Sequence, residues 1–344
     1  MQGLKDDGLG HGICSSRGRA HNESQHDSTI GWQLAAGRGI CRESAAGYQI
    51  KAPGCSARPD PGSYRMVGNS VLPGDFTVPL AEINNHQMYY EIHGEGDPAV
   101  CMGGWGTYCH RDGRSLARGL TDRHKVLVFD YRGIAESSDE PGRPASMRLY
   151  ADDLIGLLDS LGWRDVHLVG LVGMGCGVAQ EIALNRPDLV RSMVNMGAWA
   201  FCDDYLRDQL NLFRTVHKDS GFYTFQEFVC ICSFLPEFYN QNRHRLLGPG
   251  GEWPELRDNY MTHERLVDAC LTHDTRDRLA LIRAPTLVIH AAMDMITSPR
   301  TTLPIEQAIP GAEGVTMENT AHVVAGKAQK TEFCELLFSF LDRH

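Results

Sequence analysis

Residues 166–196, VHLVGLVGMGCGVAQEIALNRPDLVRSMVNM, constrain the fold more than any other stretch of this chain. An apolar run of strand character meets a glycine-rich turn. A helical segment follows, stops before Pro187, and gives way to a second apolar strand. Continuous apolar strands of this kind belong to parallel sheets covered on both faces. A strand, a crossover helix and a second parallel strand close as a right-handed unit.

The alternation extends to both sides. FTVPLAEI and QMYYEIHG read as two strands about the turn Asn84-Asn85, which predicts a hairpin. PAVCM is a short strand running into Gly103-Gly104, Arg111 to Leu120 reads as a helix, and KVLVFD is a buried strand. In SMRLYADDLIGLLDSLGW, Leu154, Leu157, Leu158 and Leu161 form one helical stripe, with Ser146 to cap its start and Gly162 to end it. SMVNMG is the sixth strand. From Phe201 to about Leu279 the chain is mostly helical and rich in aromatic residues. PTLVIHA and GVTMEN resume strand character, and Phe333, Leu336, Leu337, Phe340 and Leu341 mark a final helix. The fold class is therefore α/β: a mostly parallel sheet flanked by helices, with a helical cap inserted after the sixth strand. The core spans 77–200 and 280–344, and the cap 201–279.

Residues 1–70 differ. They are rich in Gly, Ser, Arg, His and Cys, contain no Phe, and show no sustained period of 2 or 3.6. Such a segment buries too little apolar surface to offset chain entropy. It reads as a disordered extension, or as an upstream extension of the reading frame with Met66 as the working start. Both alternatives stand at this point.

Charge and cysteine usage narrow the function. A formal net charge of -10 argues against nucleic acid as the main partner, because phosphate binding needs a basic surface. No apolar run reaches bilayer-spanning length, and no basic stretch followed by an apolar one marks a secretory signal. The eleven cysteines are scattered apart from Cys230 and Cys232, and their odd number forbids full internal pairing. They read as structural thiols of a reduced compartment, not as metal ligands. The expectation is a cytoplasmic protein that takes a small-molecule substrate, with no cofactor, no metal and no membrane or nucleic-acid partner; oligomeric state is left open.

Four segments, in order, resemble the α/β-hydrolase-fold superfamily of the capped type. CMGGWG stands at the oxyanion loop. VFDYRGIAESS resembles the D-x-R-G-x-G-x-S turn, with Ala135 where glycine is usual. Gly170 to Arg186 occupies the nucleophile elbow. PTLVIHAAMDMIT and ENTAHVV resemble the segments that supply the acid and the histidine. The resemblance runs from about residue 77 to 344 and implies the fold; fold alone does not fix function.

On the residues themselves, Asp294 follows a strand at the C-terminal edge of a parallel sheet, and His322 follows the next strand on a short loop. Together they fit the carboxylate and base of a catalytic dyad. The turn between them and the oxyanion loop offers no nucleophile. Counting back from the helix residues VAQEIAL puts Gly173 at the nucleophile position, whereas counting forward from the strand residues HLVG puts Val172 there. No G-x-S-x-G occurs in the chain. Cys176 falls in the first helical turn, where a helix N-terminus lowers a thiol pKa, but its side chain should point away from the apex. The N–H groups of Gly104 and Met174 are candidates for an anion or oxyanion pocket. Trp105, Tyr108 and His110 follow the oxyanion loop as candidate pocket residues. Asp203 and Asp204 read as surface at the cap entry, and His273-Asp274 as structural.

Two functions follow. The first is an enzyme acting on an apolar or aromatic small molecule through an Asp-His dyad without serine. It would hydrolyse an ester, lactone or C–C bond with water, or transfer a proton without hydrolysis. The second is a non-catalytic binding protein, because the LVGMGCG turn also resembles the glycine-rich elbow of the N-myc downstream-regulated family.

Overall fold

The computed structural model describes residues 79–110, 116–140 and 142–344. The expectations for residues 1–70 and Met66 lie outside these. Eight strands, β1 (Leu80–Ile83), β2 (His86–His93), β3 (Asp97–Met102), β4 (His124–Phe129), β5 (Val166–Leu171), β6 (Val190–Met196), β7 (Thr286–Ala291) and β8 (Glu313–Met317), form one sheet. Their spatial order is β1-β2-β4-β3-β5-β6-β7-β8. β1 and β2 pair antiparallel across Asn84 and Asn85, whose φ values of 48° and 64° give the left-handed turn that suits the twist of a two-residue hairpin. β2 also runs antiparallel to β4, and the remaining pairs from β4 to β8 are parallel.

The chain moves outward from β3 to β4, then returns past β3 to β5. That reversal opens a crevice at the C-terminal ends of β3 and β5, where open α/β sheets bind ligands. Strand side chains divide by a period of two between two apolar layers. Val100, Met102, Leu127, Phe129 and Leu168 enter one, with Cys101, Val126, Val128 and Val169 in the other.

Helix α1 (Met147–Ser160) starts where the Ser146 hydroxyl accepts from Leu149 N–H at 3.1 Å, and Gly162 turns the chain at φ 69° just past its end. α2 (Met174–Asn185) is buried along nearly its whole length, as its Gly/Ala-rich sequence allows. Gly175 has no room for a Cβ because Met102 and Gly103 carbonyls abut it, so α2 sits directly against the end of β3. Between β6 and β7 lie α3 (Asp204–Ser220), α4 (Phe222–Ser233), α5 (Pro236–Leu246) and α6 (Tyr260–Thr272). The chain leaves the sheet at Phe201 and returns at Asp274. These two form an isolated antiparallel bridge, reinforced by Thr275 N–H donating to Ala200 O at 2.8 Å. Leu206, Leu210, Phe213 and His217 form the buried stripe of α3.

Two local expectations change. The helix expected from Arg111 to Leu120 does not reach its end: residues 116–120 form turns, and Gly119 at φ 87° is incompatible with a continuing helix. Residues 111–115 lie outside the described chain. A helix that periodicity did not announce, α7 (Pro299–Ala308), follows β7; the internal Pro304 disguises it. α8 (Lys327–Leu341) ends the fold as expected. No described helix is long and apolar enough to cross a membrane.

Candidate active site

A pocket enclosing about 170 Å³ opens at the C-terminal edge of the sheet. The loop after β3 supplies Gly104, Trp105 and Tyr108, and the turn before α2 supplies Val172, Gly173 and Met174. Its outer wall comes from the helical insertion, with Leu210, Phe213, Val229 and Cys270 among others. Trp105 and Tyr108 line this pocket. His110 does not. It adopts a left-handed backbone at φ 60°, and its ring turns away to stack on Tyr89 at 4.5 Å and to meet Glu136 at 2.7 Å. His110, Asp130 and Glu136 place one ligand atom each within 4.8 Å of one another, so any metal held by them would lie outside this pocket.

Asp294 and His322 come together. Asp294 sits just past β7, fully buried at its side chain, and its Oδ2 lies 2.9 Å from His322 Nδ1. The carboxylate is saturated. Oδ1 accepts from Ile296 N–H at 2.7 Å and Thr297 N–H at 2.9 Å. Oδ2 also accepts from the Thr297 hydroxyl at 2.9 Å. Burial pushes the Asp294 carboxyl up, but His322 and the two backbone N–H groups outweigh it and hold the group below its usual range. His322 thus has Nδ1 fixed on the carboxylate side. The ring lines the pocket, and Nε2 has no hydrogen-bond partner among the described residues. Sequence reasoning missed Thr297, although a threonine three residues after the acid is the signal of a side chain that folds back on its own turn.

The turn carries two successive left-handed residues, Val172 at φ 54° and Gly173 at φ 68°, ψ −98°. Both stay zipped to the neighbouring strand end. Val172 N–H donates to Met196 O at 2.9 Å, and Gly173 N–H donates to Gly197 O at 2.8 Å. Met174 N–H, first in α2, has no carbonyl partner within its helix and is one of the donors that a helix start offers to an anion. A Cβ on Gly173 would stand 2.9 Å from the indole Cζ3 of Trp199, a residue that the sequence did not mark.

Cys176 is not a nucleophile in waiting. It is fully buried, its thiol donates to Met196 O at 3.1 Å, and burial pushes it up to about 12. The expected pKa lowering by the helix start is overwhelmed by desolvation. Asp203 accepts from Leu206 N–H at 2.9 Å as the cap of α3 and pairs with Arg300, while Asp204 is exposed. His273 lies under α2, its Nε2 3.2 Å from Gln180 Oε1.

Comparisons with known proteins agree with this architecture. A family model described as the alpha/beta hydrolase fold matches residues 92–326. A putative carbamate hydrolase, RutD, of Azorhizobium caulinodans is 27% identical over 266 residues, covering 76% of this chain and 98% of that protein. The RutD of Pseudomonas savastanoi pv. phaseolicola is 29% identical over 243 residues, 68% of this chain and 92% of its own. Among solved structures, the enol-lactonase from Burkholderia xenovorans LB400 superposes with a TM-score of 0.67 at 20% identity, covering 77% of this chain and 100% of that one. The sheet order, the crevice and the match over residues 92–326 lead to one conclusion: this chain belongs to the α/β-hydrolase fold family.

Proposed function

We propose that this protein is an enzyme in which His322, oriented by Asp294, acts as a general base on a small apolar or aromatic carbonyl compound without a serine nucleophile. One observation carries the reading. His322 Nδ1 is tethered at 2.9 Å to a buried carboxylate, while Nε2 has no partner among the described residues and the ring lines an aromatic-walled pocket. Nε2 accepts a proton from water or from the substrate itself. Asp294 then steadies the imidazolium. The N–H groups of Gly104 and Met174 would stabilise negative charge on the substrate oxygen. Hydrolysis of an ester, lactone or C–C bond fits this chemistry, as does non-hydrolytic proton transfer. The carbamate hydrolase name of the RutD relatives favours hydrolysis of a small carbonyl compound.

In this reading helices α3–α6 act as a cap over the pocket, and no cofactor takes part. A cytoplasmic location suits the described cysteines, all free thiols.

A second reading is a binding protein with an unused dyad. The Trp199 ring, packed where a Gly173 side chain would stand, favours it. The test is a panel of aryl esters, lactones and 1,3-diketones with the parent and His322→Ala. Turnover in the parent that vanishes in His322→Ala supports the enzyme. Turnover that survives the substitution refutes the dyad, and no turnover on any substrate favours the binding protein.

A further inference from the structure

His110 leaves the pocket to enter a group of carboxylates. Its Nε2 lies 2.7 Å from Glu136 Oε2 and 3.4 Å from Asp130 Oδ2, and its Nδ1 lies 3.9 Å from Glu91 Oε1. Separate chain segments meet there. Asp130 follows β4, Glu136 follows the left-handed Ala135 at φ 45°, and Glu91 belongs to β2. The ion pairs of these three carboxylates are with His110 and with His93, whose Nε2 lies 2.8 Å from Glu91 Oε2. None of the three has a lysine or arginine partner among the described residues. Asp130 makes this imbalance costly, because its side chain has no exposed surface. Its Oδ1 accepts from the Thr107 hydroxyl, and the weakly donating Cys109 thiol stands beside the carboxylate. Its Oδ2 faces His110 Nε2 at 3.4 Å, longer than an ordinary charge-assisted bond. A buried carboxylate oxygen is thus directed into the group with no strong donor on it.

The spacing suits a cation. One ligand atom each from His110, Asp130 and Glu136 lies within 4.8 Å of the others. Ligands bound to a tetrahedral ion at about 2.0–2.2 Å stand roughly 3.3–3.6 Å apart. The Nε2–Oδ2 spacing of 3.4 Å already has that value. Nε2 and Oε2 are closer, and the half-exposed Glu136 side chain can swing outward to admit an ion. Glu91 stands on the Nδ1 side, the place of the outer carboxylate that orients a ligating imidazole.

We propose that His110 Nε2, Asp130 Oδ2 and Glu136 Oε2 form a binding site for a divalent transition-metal ion of the zinc type, outside the pocket. The imidazole selects against magnesium and calcium, which prefer oxygen ligands alone. The proton on Nε2 leaves to solvent as the ion binds. Water completes the shell on the open side, where His110 and Glu136 are 37% and 50% exposed. The ion ties the loop that carries Gly104, Trp105 and Tyr108 to the turn after β4, and takes no part in the chemistry at His322. The cysteine pattern gave no hint of it, because all three ligands are imidazole or carboxylate.

The experiment reads metal uptake, not turnover, so the inference stands or falls apart from the proposed function. The full chain, stripped with EDTA, is dialysed to equilibrium against buffered zinc beside His110→Asn and Glu136→Gln, with metal analysis and thermal unfolding. Both side chains face solvent, and asparagine tolerates the left-handed backbone at 110. The parent should bind one equivalent that both variants hold at least roughly tenfold more weakly. At a hundredfold excess over Kd its thermal midpoint should rise by about 5 °C or more, and the variants should lose most of that gain. Zinc uptake unchanged in both variants places the ion on other groups and overturns the inference, as does a parent that takes up no zinc. Calcium held as tightly as zinc, and lost in the same variants, overturns the part given to His110. Should a variant misfold by circular dichroism, anomalous scattering at the zinc edge from crystals of the parent decides. A peak between the three ligand atoms supports the site, and a peak elsewhere or none overturns it.

Discussion

The Thr297 hydroxyl lies 3.0 Å from His322 Nδ1 while donating to the carboxylate that the same nitrogen faces, Asp294 Oδ2, at 2.9 Å. Thr297 therefore fixes the direction in which the imidazole can bond, without touching the pocket.

Replacing Thr297 with valine removes one hydrogen bond to a charged group and keeps the shape. Turnover should fall about tenfold, in kcat more than KM, and Thr297→Ser should restore most of it. Steady-state kinetics of the three proteins on any substrate of the parent decides this. A Val variant with full kcat would show that the backbone N–H groups suffice.

A side chain at Gly173 meets both a left-handed backbone and the Trp199 ring at 2.9 Å. Gly173→Ala should cost about 1–3 kcal/mol of stability, measured by urea unfolding. Trp199→Leu in the same chain should recover part of that loss by making room.

The insertion holds a buried histidine pair, with His217 Nδ1 2.9 Å from His263 Nδ1 and the Trp105 ring against His263 at 4.7 Å. Burial, then His217 and Arg214, lower His263 from 6.5 to about 3. Between those values the unfolded chain binds more protons at this residue than the folded one. Stability from this group is thus full above 6.5 and falls as pH drops towards 3. The swing should reach roughly 4–5 kcal/mol at most. His263→Phe should flatten the acid limb of thermal midpoint against pH. An unchanged slope would place the acid sensitivity elsewhere.

Arg132 and Asp153 are buried and paired through Nε at 2.6 Å and Nη2 at 2.8 Å, with Asn84 of the hairpin turn bonded to both. Removing only the carboxylate strands a buried guanidinium. Asp153→Ala should cost about 3–5 kcal/mol in denaturant unfolding, whereas Arg148→Ala, at an exposed i,i+4 pair with Asp152, should cost under about 1 kcal/mol.

Local chemistry written along the chain determined the architecture. Strand and helix periodicity gave the order of the strands and of most helices, though not α7, while Asn84-Asn85 gave the hairpin and Ser146 the start of α1, because each depends on neighbours within a few residues. The sequence also marked Asp294 and His322 through their places after consecutive strands. Tertiary structure alone decided the rest. Only packing shows that the Trp199 ring stands where a Gly173 side chain would go. A left-handed residue swung His110 out of the pocket, and desolvation cancelled the helix effect at Cys176. Side-chain direction and burial arise from contacts distant in sequence, and no periodicity records them.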